Sequence, residues 1–194
     1  MKKLILALGT VITVLSTNAQ EGPKGLNVHD KAPAFSAKDQ YGKQIKLEEQ
    51  LKIGAVVLVF YRGQWCPYCN RQLKALEDSL SFITEKGAKL IAVTPEKPEN
   101  ISKTISKTKA TYPILFDEGL KIMRDYDVAF SVDDRTIEKY KGYGIDFTEV
   151  NGSNGAKLPV PAVYIINKSG EIIYRFFEAD YRKRPSVKEV LDHL

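Results

Sequence analysis

A chain of 194 residues is long enough for one domain with its own core, and 29 Lys/Arg against 24 Asp/Glu make it only mildly basic. The basic residues are scattered, which gives no case for nucleic-acid binding. Two cysteines in all exclude a disulfide-built scaffold, and a bond between residues as close as Cys66 and Cys69 would close too small a loop to stabilise a fold.

Met1-Lys2-Lys3, a charge-free run from Leu4 to Leu15 and a small residue at Ala19 have the form of a secretory signal peptide over residues 1–19, with the domain running from 20 to 194. The apolar run is shorter than the ~20 residues of a membrane span; an uncleaved anchor is the alternative. Lys2 and Lys3 leave with the signal, so the remainder carries 27 basic against 24 acidic residues, a net charge of +3. The expected protein is exported, periplasmic if bacterial, with no stable membrane association after signal removal.

Phe35 to Leu47 reads as a hairpin turning near Tyr41-Gly42, followed by a short helical turn over Leu47–Leu51. Ala55 to Tyr61 is a continuous apolar, β-branched run, as in a strand buried on both faces. Pro67 suits the first position of a helix, and Leu73, Leu76, Leu80 and Ile83 carry that helix on to Gly87. Lys89–Thr94 is the next buried strand, completing a strand–helix–strand unit. A helix over Glu99–Lys109, a short strand at Tyr112–Phe116 and a helix over Leu120–Tyr126 follow. Val132 to Gly144 is ambiguous and is read as an inserted helix, and Asn151–Gly155 as a loop. Ala162–Ile166 and Glu171–Phe177 form a second hairpin around Asn167-Lys-Ser-Gly170. Pro185-Ser186 opens a last helix, with Ser186 as N-cap and Glu189 three residues on.

Both cysteines lie where the first buried strand should end and its helix begin. There the free N–H groups of the first turn and the helix dipole favour a thiolate. Cys66 comes first, so it is the expected nucleophile with the more exposed sulfur; Cys69, one turn in, is the expected resolving thiol. Spacing of this kind beside a βαβ unit is a specific redox signal. Zinc is the competing use of such a pair, but His29 and His193 sit at opposite ends of the chain in no ligand spacing, so no metal and no cofactor is expected. Trp65 either flanks the sulfur and excludes water or packs in the core. Arg62 either stabilises the thiolate and orients an oxygen substrate or makes a surface ion pair. Tyr68, between the cysteines, is expected to be exposed. Pro161, before a strand, either packs in cis against the dithiol or is an ordinary edge proline. Arg182-Lys183-Arg184 reads as a solvated corner.

Phe60-Tyr-Arg-Gly-Gln-Trp-Cys66-Pro-Tyr-Cys69-Asn-Arg-Gln-Leu73 resembles peroxiredoxin-like proteins of the alkyl hydroperoxide reductase/thiol-specific antioxidant superfamily. So do Tyr143 to Asn151, Leu158-Pro-Val-Pro161-Ala-Val-Tyr-Ile-Ile-Asn167, and Asp180-Tyr-Arg-Lys-Arg-Pro185 before the final helix. The resemblance implies an α/β, thioredoxin-like fold: a central mixed sheet flanked by helices, with an N-terminal hairpin and a helical insertion. It also implies that Cys66 holds the peroxidatic position. The chain departs from the Pro-x-x-x-Thr-x-x-Cys motif of that superfamily, with Val59 and Gly63 at the Pro and Thr positions. Pro161 stands where those proteins place an arginine, and Phe60 where thioredoxins carry a buried acid. Two chemistries therefore stay open: a thiol peroxidase reducing hydroperoxides with electrons from an external dithiol on a thioredoxin-like partner, and an exported thiol–disulfide oxidoreductase acting on protein disulfides. A non-catalytic binding module is the reading from a different class.

Overall fold

In the computed structural model, residues 22–194 are described; the predicted signal segment lies outside them. The central sheet is built on β3 (Val56–Phe60), whose five residues are all fully buried. β3 pairs in parallel with β4 (Lys89–Thr94), and β4 in parallel with β5 (Ile114–Phe116). On its other side β3 pairs antiparallel with β8 (Ala162–Ile166), which forms the second hairpin with β9 (Ile172–Phe177). The strand order is β5-β4-β3-β8-β9, a mixed sheet as expected.

Alternation along these strands makes two cores, one on each face. Val56, Leu58 and Phe60 join Ile91, Val93, Ala162, Tyr164 and Ile166 on one side. Val57, Val59 and Tyr61 join Leu90, Ala92, Val163 and Ile165 on the other. Each Val or Leu so buried contributes ~1.5–3 kcal/mol, which is why this register is not free to slip. The first face is covered by α1 (Leu47–Ile53) and α5 (Lys121–Asp125), the second by α2 (Pro67–Asp78), α3 (Leu80–Glu85), α4 (Pro98–Thr108) and α8 (Val187–Asp192).

The expected N-terminal hairpin is β1 (Ser36–Lys38) with β2 (Gln44–Lys46). Asp39 holds its turn, its Oδ1 accepting from the N–H groups of Tyr41 and Lys43, both at 2.9 Å. Gln40 then pairs its side-chain amide with the backbone of Tyr112 and Ile114, covering the edge beside β5. The expected single helix from Pro67 to Gly87 is instead two, broken at Ser79, whose backbone leaves the helical region (φ −112°, ψ 11°). Periodicity carries on across the break because Leu76 and Ile83 bury on the same core. The ambiguous stretch after Val132 is helical: α6 (Asp134–Gly142) and α7 (Phe147–Asn151) lie between the paired strands β6 (Ala129–Ser131) and β7 (Lys157–Pro159). Ser186 caps α8 as expected, accepting from Glu189 N–H at 3.0 Å; the Glu189 carboxylate turns to the Tyr174 hydroxyl at 2.7 Å instead of closing a reciprocal box. No helix of the described residues is long and apolar enough to cross a membrane.

Candidate active site

β3 ends at Phe60 and α2 begins at Pro67, so Tyr61 to Cys66 are the turn that delivers the cysteines. Cys66 is the N-cap of α2, with extended backbone and Pro67 at the first helical position. Its Sγ accepts the Cys69 N–H at 3.4 Å, the place a capping oxygen would occupy. Cys69 lies one turn on, pointing into the same core as Leu73 and Leu76. The two sulfurs are not bonded to each other in this structure.

The structure departs here from the sequence reading. Cys66 was expected to expose its sulfur; it is 1% exposed, and Cys69 is 0% exposed. The cover comes from distant segments. After β9 the chain folds back, and Arg184 Nη2 reaches Cys69 Sγ at 3.3 Å while its Nη1 bonds the carbonyls of Tyr181 and Lys183. Tyr181 lays its ring on Arg62, 4.3 Å from the guanidinium carbon, and edge-on to Tyr68 at 5.9 Å. Tyr68 is thus half-buried rather than fully exposed. The basic corner is also divided: Arg182 and Lys183 pair with Asp180 and Glu178 at the surface, and Arg184 turns inward.

Arg62 is 4% exposed, which rules out a surface ion pair. Its guanidinium lies among the rings of Trp65, Tyr140 and Tyr181, with Nη2 donating to the Tyr140 hydroxyl. Its Nε and Nη1 are buried without a partner. Trp65 is half-buried. It packs on the cluster that holds both cysteines and also, edge to face, on Tyr140 (5.1 Å) and Phe147 (6.0 Å) of the insertion. Pro161 is buried one residue beyond the Phe60–Ala162 pair, but its peptide bond is trans, since the described residues contain no cis bond. The cis arrangement is therefore corrected. His29 is an exposed partner of Glu171, and His193 stacks on Tyr174; the described residues contain no group of three or more metal-binding side chains.

Glu96, which sequence reading missed, stands just past β4 and is 0% exposed. Its Oε2 accepts the Gln64 N–H at 2.7 Å, tying it to the turn before Cys66, and its Oε1 has no partner. Gly63 makes this possible: a Cβ there would stand 2.5 Å from Trp65 Nε1 and 2.6 Å from Glu96 Oε1. The position that carries threonine in the superfamily motif is thus emptied to admit an indole and a carboxyl. Burial, only partly offset by the Gln64 bond, raises the Glu96 carboxyl to about 8, and the charge of Cys69 adds to the rise.

The two thiols ionise as a pair. Burial opposes the ionisation of Cys69, but the hydrogen bond from the Cys66 thiol and the charges of Arg184 and Arg62 outweigh it and bring Cys69 to about 6. The same hydrogen bond, then burial and the Cys69 charge, push Cys66 up. Arg184, 3.3 Å from Cys69 Sγ, favours negative charge on that sulfur. The helix N-terminus, with Cys69 N–H 3.4 Å from Cys66 Sγ, favours charge on Cys66. A larger open cleft, about 950 Å³, lies between the N-terminal hairpin and the start of α5 and is lined by neither cysteine.

A five-stranded mixed sheet with a dithiol at the N-terminus of the helix after its central strand defines a thioredoxin-type fold. Residues 28–175 match the model of the AhpC/TSA family, and the chain belongs to that family. It is 35% identical over 96 residues to the chloroplastic peroxiredoxin Q of Gentiana triflora, an alignment covering 50% of this chain and 44% of that protein. To the chloroplastic peroxiredoxin Q of Arabidopsis thaliana it is 27% identical over 169 residues, 87% of this chain and 67% of that one. The chain thus spans between under half and two thirds of these relatives' lengths. Among solved structures, the peroxidoxin BcpB of Mycobacterium tuberculosis superposes with a TM-score of 0.65 at 18% identity, covering 89% of this chain and 96% of that one. This last likeness is one of fold.

Proposed function

We propose that the protein is a peroxiredoxin-like thiol peroxidase that reduces hydroperoxides through Cys66 and Cys69. The observation that carries this reading is the Cys66–Cys69 pair at the N-terminus of α2, with Arg184 3.3 Å from the Cys69 sulfur, in a chain of the AhpC/TSA family. The Cys66 proton passes to the Cys69 thiolate along their hydrogen bond. The freed Cys66 thiolate gives an electron pair to the terminal peroxide oxygen, the O–O bond breaks, and the alkoxide or hydroxide leaves with the proton that Cys69 had taken, so that Cys69 is a thiolate again. Cys66 is then a sulfenic acid. Cys69 attacks that sulfur, water departs and the disulfide forms; a dithiol on a thioredoxin-like partner reduces it by exchange. The vacant Nε and Nη1 of Arg62 are the donors suited to the peroxide oxygens, in place of the absent threonine and arginine. Pro67 orients the helix end, Trp65 keeps water out and Pro161 closes the sheet side. The signal-like residues 1–19 support an exported protein that meets its reductant outside the cytoplasm.

Stopped-flow oxidation of the reduced protein by hydrogen peroxide tests this. The expected rate is at least a hundredfold (~10²) above that of a free thiol, a factor one oxyanion donor can supply. A rate equal to a free thiol's overturns it in favour of exchange with protein disulfides, which the Cys-Pro-Tyr-Cys sequence and the missing threonine and arginine favour. A Cys69→Ser variant would then trap partner proteins as mixed disulfides. If Cys66→Ala leaves every activity intact, neither redox reading survives.

A further inference from the structure

Thioredoxin-type dithiols exchange protons as well as electrons, and the mechanism above leaves a buried carboxyl beside the dithiol unused. Glu96 has no solvent contact, and one carboxyl oxygen has no hydrogen-bond partner. It is not a structural ion pair. The cations whose charge acts on it, Lys103 and Lys107 of α4, are bonded elsewhere, to Asn100 Oδ1 at 2.9 Å and to the Gln64 carbonyl at 2.9 Å. Nor is it loosely held. Lys97 N–H and Asn100 Nδ2 both donate to the Val150 carbonyl, and Asn154 Nδ2 donates to the Pro95 carbonyl, so the insertion clamps the segment on either side of Glu96. A carboxyl kept dry, fixed and half-satisfied, bonded to the turn that carries the nucleophile, is in place to hold a proton and release it.

We propose that Glu96 is the proton reservoir of the dithiol, taking up one proton when the Cys66–Cys69 disulfide is reduced and returning it when the disulfide forms. This rests on the reading of the pair as a redox disulfide, whatever its oxidant. In the disulfide, Cys69 carries no charge and Glu96 ionises more easily. Reduction by the external dithiol breaks the S–S bond with two electrons; one proton goes to Cys66, Cys69 keeps the negative charge beside Arg184, and a second proton goes to Glu96. In the reverse direction Cys69 attacks the sulfenic acid as a thiolate, and Glu96 gives its stored proton to the departing hydroxide, which leaves as water. The groups facing Glu96 agree with this. Cys69 on α2 raises it; Gln64 N–H, Lys107 and Lys103 lower it; and the Tyr61 hydroxyl at the end of β3 stays neutral, its ionisation pushed well up by burial and then by Glu96 itself. Trp65 Nε1, also without a partner, faces the same space over Gly63.

Glu96 is here a positioning and proton-holding residue, so its test is a proton count. The reduction potential is measured by equilibration in dithiothreitol redox buffers across the window from about pH 6, where Cys69 ionises, to about pH 8, where Glu96 does. With the reservoir, two protons accompany two electrons in that window. The potential then falls by up to ~59 mV per pH unit, which is about a hundredfold in the equilibrium constant of the half-reaction. In Glu96→Gln one proton is left and the change falls to about tenfold, ~30 mV. Equal slopes in the two proteins overturn the proposal. A wild-type pair that never forms the disulfide overturns the redox reading itself, a different result. If Glu96→Gln does not fold, redox-difference infrared spectra of the wild type decide. A protonated-carboxyl band that grows on reduction supports the reservoir, and a spectrum without one overturns it.

Discussion

Arg184 lies 115 residues beyond Cys69 in sequence, yet it supplies the guanidinium closest to either sulfur. Its charge works against burial, so its removal has a defined sign. Arg184→Ala is expected to move the thiolate transition of the reduced protein, followed at 240 nm, upward from about 6 by ~1–3 pH units. Arg184→Lys should recover only part of the change, since a point charge replaces a planar fork. Glu96 has a second consequence, for stability. From the ordinary carboxylate value near 4.5 up to about 8, the folded protein holds a proton that the unfolded chain releases. Stability contributed by this site is therefore fully present below 4.5 and is lost as pH rises through 8. Urea unfolding at pH 5 and pH 8 should show a loss of up to a few kcal/mol in the wild type, at ~1.4 kcal/mol for each tenfold difference in proton affinity, that Glu96→Gln lacks. Identical pH dependence in the two would contradict a buried, protonated Glu96.

Among the elements, the segment from β4 to α4 is fixed by the insertion rather than by its own propensity. Asn154 alone bridges three places: its Nδ2 donates to the carbonyls of Pro95 and Asp117, and its Oδ1 accepts from Gly119 N–H. Asn154→Ala leaves those groups buried and unpaired, which should cost ~2–3 kcal/mol and lower the melting temperature by roughly 4–12 °C for a domain of this size. Because the same bridge holds Glu96, the variant should also lose the steep pH slope of the reduction potential while keeping a reversible disulfide. A variant as stable as the wild type would show that the clamp is elsewhere. These dependences explain what sequence could reveal. β3, β4 and the β8–β9 hairpin were legible because both-face burial and tight turns leave marks within a few residues, and Ser186 because a cap is local. Cys66, Cys69, Arg62 and Trp65 were legible because one turn carries them all. Glu96, Tyr140, Tyr181 and the inward turn of Arg184 were not. Each reaches the site through contacts between distant segments, and a charged residue after a strand or in a basic corner looks the same whether it faces water or sulfur. The break at Ser79 was hidden for a related reason: the hydrophobic repeat continues through it.

For the molecule as a whole, the dithiol is enclosed by parts that meet only in the finished fold. The end of β3 brings Arg62 and Trp65, the insertion brings Tyr140 and Phe147, and the return after β9 brings Tyr181 and Arg184. Phe147 and Arg62 of this cover are buried, and the rest of it is not. Tyr181 is 43% exposed, and α6 buries no residue fully. Such a cover opens more readily than the sheet beneath it, because few buried contacts hold it. Under the proposed function, a hydroperoxide needs only a small opening to meet Cys66, whereas a partner protein's dithiol needs the Tyr181–Arg184 return to move aside. Reagent size should therefore separate the two kinds of access. Methyl methanethiosulfonate is expected to modify the reduced protein at least tenfold faster than a polymer-linked maleimide does, after each rate is divided by that of a free thiol. This corresponds to an opening cost of ~1.4 kcal/mol or more. Tyr181→Ala removes the ring that bridges Arg62 and Tyr68, so it should raise the polymer rate and leave the small-reagent rate nearly unchanged. Equal normalised rates in the wild type would mean that both sulfurs are open in solution, and the burial of Cys66 would then have no part in selecting its substrates.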